Sequence, residues 1–292
     1  MLIYLLSAVF TLFALPYFVL SIVGFLAPLI VFVYKFYHKI LLNKETCIDY
    51  IPAKKLIAFI FTIHGYIWHS YEIVNFENIP ETGAALIIYY HAALPLDYYY
   101  LISHCYLFKN RHLRTIADRF LFKIPVFNIF MDVMKASPGS VELCTQMLKE
   151  GKIVAIAPGG VREAMFSRNY NLIWNNRIGF AKVAIAAKVP IIPVFTVNIR
   201  EAYRTISFGE KLFQKLYEIT KFPVVPIYGG FPVKLKTVIG TPIEFESDLT
   251  AEQLAMKTAE AIKALIKEHQ TIPGSIIDAT LERFTVKSKN YC

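Results

Sequence analysis

The chain has 292 residues, enough for one large domain or two modest ones, and 55% of them are hydrophobic. Its formal charge of +9 points to anionic partners. No Lys/Arg run is interleaved with aromatics as nucleic-acid stacking requires, so lipid headgroups, or an ordinary basic surface, are the simpler readings.

Much of the apolar excess lies at the start. Met1 to Tyr34 carries no charge and no histidine, and about 20 apolar residues suffice to cross a bilayer. The run lacks a basic start and a small-residue cleavage site, so residues 1–34 read as a retained transmembrane anchor. Pro16, Gly24 and Pro28 interrupt it, which allows one tilted, kinked span or a tight hairpin of two short helices. Lys35, Lys39 and Lys44 come next, and the positive-inside rule places them, and everything after them, in the cytosol. Two absences agree with that side of the membrane. There is no Asn-x-Ser/Thr acceptor, and the four cysteines (Cys47, Cys105, Cys144 and Cys292) show no paired spacing of the kind a disulfide framework or zinc site needs.

Residues 35–76 read as a juxtamembrane segment. Its oily stretch, 56–68, is too short to span; it suits an interfacial helix on the bilayer or a helix packed on the domain core. From residue 77 the pattern becomes globular and predicts one domain over 77–292. Short apolar strands at 84–90, 153–157 and 191–197, with a weaker one at 115–117, alternate with helices. One helix covers 140–150 and ends at Gly151; another covers 177–188 and stops before Pro190. Thr250 and Gln253 form a capping box, after which Leu254, Thr258, Ala261, Ile262, Leu265 and Ile266 share one helical stripe. This alternation predicts an α/β fold: a mostly parallel central sheet flanked by helices.

In parallel sheets, ligands collect beyond the carboxyl ends of the strands. His91 comes after the first strand, Pro158-Gly159-Gly160 after the second, and Asn198 and Arg200 after the third, so all three groups emerge on one edge. A neutral imidazole at His91 can take a proton from a hydroxyl attacking a carbonyl, provided a carboxylate, here Asp97, holds its tautomer. The Gly159-Gly160 turn lets backbone N–H groups approach an oxyanion or phosphate. Arg162 adds a planar cation that Glu163 can orient. No serine or cysteine stands in a nucleophile elbow, which favours direct transfer without an acyl-enzyme. His104 with His112, or His64 with His69, could be imagined as metal ligands. The i,i+5 spacing of the latter suits neither one helix face nor one strand face, so no metal is expected. Each feature alone is more often structural; their convergence on one edge is the signal.

His91 and Asp97, the block Pro158-Gly159-Gly160-Val161-Arg162-Glu163, and Val189-Pro190-Ile191-Ile192-Pro193 resemble, in order and spacing, three blocks of the membrane glycerolipid acyltransferases. The likeness is greatest to the branch of transmembrane protein 68 and the type 2 diacylglycerol acyltransferases, and includes Tyr228-Gly229-Gly230-Phe231-Pro232-Val233. It implies an endoplasmic-reticulum membrane enzyme with a cytosolic catalytic domain. That enzyme moves a fatty acyl group onto the hydroxyl of mono- or diacylglycerol, leading to triacylglycerol. Its co-substrate is acyl-CoA or a lipid acyl donor, with no further cofactor. Membrane lipids are its partners, not nucleic acid. Here His91 would be the base and Asp97 its support, with Gly159, Gly160, Arg162 and Glu163 on the substrate.

Two departures stand out. Most members place four residues between the histidine and aspartate, whereas Ala92 to Leu96 makes five, so the loop must bulge for Asp97 to reach His91. Phosphate-acceptor members carry Pro-Glu-Gly-Thr-Arg in the third block, and Gly159 stands here in place of the glutamate. With the acid side chain gone, the turn is expected to leave room for a bulkier, less polar acceptor. The rival readings are a lysophospholipid acyltransferase with a phosphorylated acceptor and a catalytically silent, membrane-bound lipid-binding scaffold.

Overall fold

A computed structural model describes residues 2–40, 51–123, 131 and 135–285. Lys44, Cys47 and Cys292 lie outside the described residues, as do several side chains of the first helix. That helix, α1 (Leu2–Ile40), runs unbroken past Pro16, Gly24 and Pro28, so no hairpin forms. Its Phe13 ring lies 5.7 Å from Tyr228, and Leu15 packs over Gly230, where an added Cβ would meet it at 2.6 Å. With part of α1 beyond the described side chains, no helix among the described residues is long and apolar enough to cross a membrane.

Helix α2 (Ile51–His69) buries Ala53, Ile57, Phe61 and Gly65 and packs on α3 (Leu96–Phe108). Of the two readings of 56–68, packing on the domain core is the one observed. The outer side of α2 still shows Phe59, Tyr66 and Ile67 to solvent. The sheet begins upstream of residue 77. Its strands are β1 (Glu72–Val74), β2 (Ala85–Tyr89), β3 (Leu113–Ala117), β4 (Ser137–Pro138), β5 (Ile153–Ile156), β6 (Ile191–Val197) and, later in the chain, β9 (Lys236–Ile239). Two further strands, β7 (Tyr203–Thr205) and β8 (Ile227–Gly229), make a separate ribbon. The seven-stranded sheet has the order β1-β9-β6-β2-β5-β3-β4. Every pair is parallel except β6 with β9.

The central strands are apolar because both sheet faces are covered. On β2, Leu86 and Ile88 point into one core layer, while Ala85, Ile87 and Tyr89 point into the other, the period of two that a pleat imposes. The second layer is closed by Tyr98, Leu101 and Cys105 of α3. The first is closed by α4 (Val141–Lys149), α6 (Gly179–Ala187) and α9 (Ala251–His269). Between α4 and α6 runs α5 (Gly160–Phe166); α7 (Ile199–Ala202) and α8 (Glu210–Thr220) come after β6, and α10 (Ile276–Leu281) comes after α9.

Local signals hold where capping chemistry sets them. The Ser140 Oγ accepts from Leu143 N at 3.1 Å, and Gly151 leaves α4 at φ +78°. Thr250 and Gln253 make both bonds of the capping box. Leu254, Thr258, Ile262 and Ile266 are the buried stripe of α9.

Candidate active site

Strand β2 pairs in parallel with both β5 and β6, so the segments leaving the carboxyl ends of these three strands emerge on one edge. His91 stands there, half-buried, two residues beyond β2. Its ring lies against Tyr89 at 6.2 Å, and Tyr89 stacks on Tyr98 at 4.3 Å, with planes 3° apart. Among the described residues the ring has one hydrogen bond: Nδ1 lies 2.8 Å from the carbonyl oxygen of Ala92. A carbonyl only accepts, so Nδ1 carries the proton and Nε2 of the neutral ring keeps its lone pair. Burial lowers the pKa of this histidine, helped by Arg200 and opposed by the Ala92 bond. A neutral imidazole with a free Nε2 is the form a general base needs.

The backbone under His91 is tied to Glu163, a fully buried acid on α5. One carboxylate oxygen accepts from His91 N at 3.0 Å, the other from Ile173 N at 2.9 Å. Burial pushes this carboxyl up to about 7, against the pull of those two amides. Arg200, also buried, secures the same corner. Its Nε donates to the Tyr90 hydroxyl, and one terminal nitrogen donates to the Glu163 carbonyl at 2.6 Å. The loop that carries His91 is thus fastened from below by a charge-assisted network, which favours a fixed imidazole.

The turn between β5 and α5 is clamped as well. Arg177 donates to the carbonyls of Pro158 at 2.9 Å and Gly159 at 3.1 Å. Gly160 sits at φ +52°, where L side chains are strained. Its N–H is spent on Ala157 O at 3.1 Å, so this amide is not the free oxyanion donor that the sequence suggests. Gly159 needs its missing side chain for another reason: a Cβ there would fall 2.4 Å from both Cβ and Cδ of Glu163. The expected room for a bulkier acceptor at Gly159 does not exist, because Glu163 fills it. Nor does Glu163 orient or neutralise Arg162. The two point apart, Glu163 into the core and Arg162 outward to Glu218 at 3.6 Å, an exposed pair of small energetic weight.

Asp97 goes elsewhere than to His91. Neither residue's hydrogen bonds, among the described residues, include the other. The Asp97 carboxylate, in the first turn of α3, is bonded by Thr196 and by the amides of its own turn. Behind Thr196 stands a series of hydroxyls: Tyr71 donates to Thr237 at 2.9 Å, and Thr237 lies 2.8 Å from Thr196. Of the five intervening residues, Ala92 to Pro95 lie before α3, and Asp97 follows as the second residue of that helix, turned to Thr196 of β6. The role of holding the His91 tautomer falls to the Ala92 carbonyl, which carries no side-chain signal in a sequence. Arg177, Thr196 and Thr237 belong to the site without any signal in the spacing of motifs; Arg200 has one, its place after β6.

Burial pushes the Asp97 carboxyl from 3.8 up to about 6. The unfolded chain therefore loses this proton first as pH rises, and stability falls between about pH 4 and pH 6. Asp97→Asn removes that loss. Its thermal or urea stability relative to the parent chain should improve by about 3 kcal/mol between pH 4 and pH 7.5. An unchanged difference would show that Asp97 is neutral or solvated at both pH values.

The family model described as Acyltransferase matches residues 70–197. A Bos taurus protein named "DGAT1/2-independent enzyme synthesizing storage lipids" is 51% identical over 238 residues, covering 81% of this chain and 71% of that protein. A Homo sapiens protein of the same name is 51% identical over 233 residues, covering 80% and 72%. The chain belongs to the acyltransferase family. A solved structure, the 1-acyl-sn-glycerophosphate acyltransferase PlsC from Thermotoga maritima, is 17% identical with a TM-score of 0.46, over 84% of this chain and 96% of that one.

The span matched to the family runs from just before β1 to the end of β6 and contains His91, Asp97, Gly159, Gly160, Arg162 and Glu163. The acyltransferase completes its site with residues beyond that span. Arg200 fastens the His91 loop, and Thr237 from β9 closes the hydroxyl series on Asp97.

Proposed function

We propose that this acyltransferase works at the endoplasmic-reticulum membrane, with α1 embedded and the sheet domain cytosolic. It transfers a fatty acyl group from acyl-CoA or a lipid donor to the hydroxyl of mono- or diacylglycerol. The observation that carries the reading is the Nδ1 contact of His91 with the Ala92 carbonyl, which frees Nε2 at the sheet edge. As the acceptor oxygen forms its bond to the acyl carbon, Nε2 takes the hydroxyl proton. When the bond to the donor breaks, the leaving group takes that proton back. The imidazole returns to its neutral form, and one ester replaces the donor's thioester or ester.

Asp97 serves this chemistry at one remove, by fixing the start of α3 against β6 through Thr196. One point favours the neutral acceptor. The mammalian relatives, by their name, synthesise storage lipids.

Purified protein in detergent, given a common acyl donor, should acylate mono- or diacylglycerol in preference to lysophosphatidate or glycerol 3-phosphate. Higher turnover with lysophosphatidate at equal acceptor concentration would replace this reading with the phosphorylated-acceptor one. No turnover with any acceptor, from folded protein, would leave the lipid-binding scaffold.

A further inference from the structure

We infer that the outer face of α8 docks onto an anionic lipid bilayer and sets the depth at which the catalytic edge meets the membrane. The inference rests on the reading that the substrates are membrane lipids. Phe208, Leu212, Leu216, Ile219 and Phe222 recur every three or four residues, so they line one side of the helix and its flanks. That side faces solvent: Phe208 is 90% exposed, Leu212 68% and Ile219 72%. The opposite side is the one the fold uses. Tyr217 is buried there, its ring 6.0 Å from Phe166 on α5. A helix whose second face met only water would carry polar residues on it.

The charges around the stripe select the occupant. Lys211, Lys215 and Lys221 border it and are exposed, and none has an ion pair among the described residues. The acids of the same helix are already matched, Glu210 with Arg168 at 2.8 Å and Glu218 with Arg162 at 3.6 Å. Unpaired lysines beside an apolar stripe suit a surface of anionic headgroups over hydrocarbon. Position suits it too. The inner face of α8 rests on the helix that carries Arg162 and Glu163. Phe222 lies 5.6 Å from Phe120, just beyond β3 at the same sheet edge as His91.

The test reads depth in the bilayer, because α1 alone could hold the chain to vesicles without seating α8. Full-length protein with Cys47→Ser and Cys292→Ser, retaining the buried Cys105 and Cys144, carries one added cysteine. The positions are Phe208→Cys, Leu212→Cys, Ile219→Cys and, on the exposed side of α9, Glu260→Cys as control. Each is labelled with an environment-sensitive fluorophore and reconstituted into phosphatidylcholine vesicles with or without phosphatidylserine.

The labels at 208, 212 and 219 should shift to the blue, be quenched several-fold more by brominated lipid chains than the control, and resist aqueous iodide. Lys211→Glu with Lys215→Glu should weaken that quenching and abolish its dependence on phosphatidylserine. Iodide reaching 212 and 219 as readily as 260 overturns the inference. So does protection that depends on protein concentration at fixed lipid, which would assign the face to a second copy of the chain. Acyl transfer is measured separately on the same vesicles. Seated labels without any transfer would remove the proposed function and leave the docking face; transfer with iodide-exposed labels would do the reverse.

Discussion

His91→Ala is expected to lower acyl transfer by at least about a hundredfold, the scale on which a general base contributes, while the protein stays folded. The geometry separates the two effects. What the ring gives the fold is one bond to the Ala92 carbonyl and its contact with Tyr89, and it is only half-buried. The bond that fastens the loop uses the backbone N–H of residue 91, which alanine keeps. Turnover assayed beside thermal unfolding in the same detergent checks both. Near-parental turnover would sink the mechanism, and loss of the folded state would make the histidine structural. The pH profile adds a direction. Burial lowers the His91 pKa, so the ring is neutral at and above its ordinary 6.5, and the acid limb of kcat/KM governed by it should lie below that value.

Glu163→Ala should be the second large loss, through position and not through contact with substrate. It strands the amides of His91 and Ile173. A buried unsatisfied donor costs about 1–3 kcal/mol, so the pair costs about 2–6 kcal/mol. Against this stands relief from burying an acid whose carboxyl is pushed from 4.5 up to about 7; that relief builds up between those two pH values, where the unfolded chain has lost the proton and the folded chain keeps it. The variant should therefore be most destabilised near pH 4.5, where there is no relief, and least so above the folded value of about 7.

Activity should fall about a hundredfold even where the variant remains folded, since freeing the loop displaces Nε2 and a shift of about 1 Å suffices for such a loss. Glu163→Gln keeps one acceptor oxygen and the shape, and should recover part of both. Equal, full activity in both variants would show that the His91 loop holds itself. Gly159→Ala is a smaller companion test: its new Cβ meets Glu163 at 2.4 Å, so it should reproduce the loss of activity without removing the carboxylate.

The elements, and the edge on which they converge, are legible in the chain before it folds. The apolar runs at β2, β5 and β6, the Ser140 and Thr250 caps, and the glycine after α4 depend on period and on neighbours a few residues away, which any chain displays locally. Parallel pairing then brings His91, the Gly159-Gly160 turn and Arg200 to one edge. Where the side chains on that edge point depends on how distant segments pack. Asp97, in the first turn of α3, reaches Thr196 of β6 and not His91. Glu163 and Arg162, neighbours in the chain, leave α5 in opposite directions, one to the His91 amide and the other to Glu218 on α8. The tautomer of His91 is set by a backbone carbonyl that every residue possesses. Spacing along a chain reports which residues share an edge, but rotation about a helix axis and the choice among backbone acceptors are settled only when distant segments pack together.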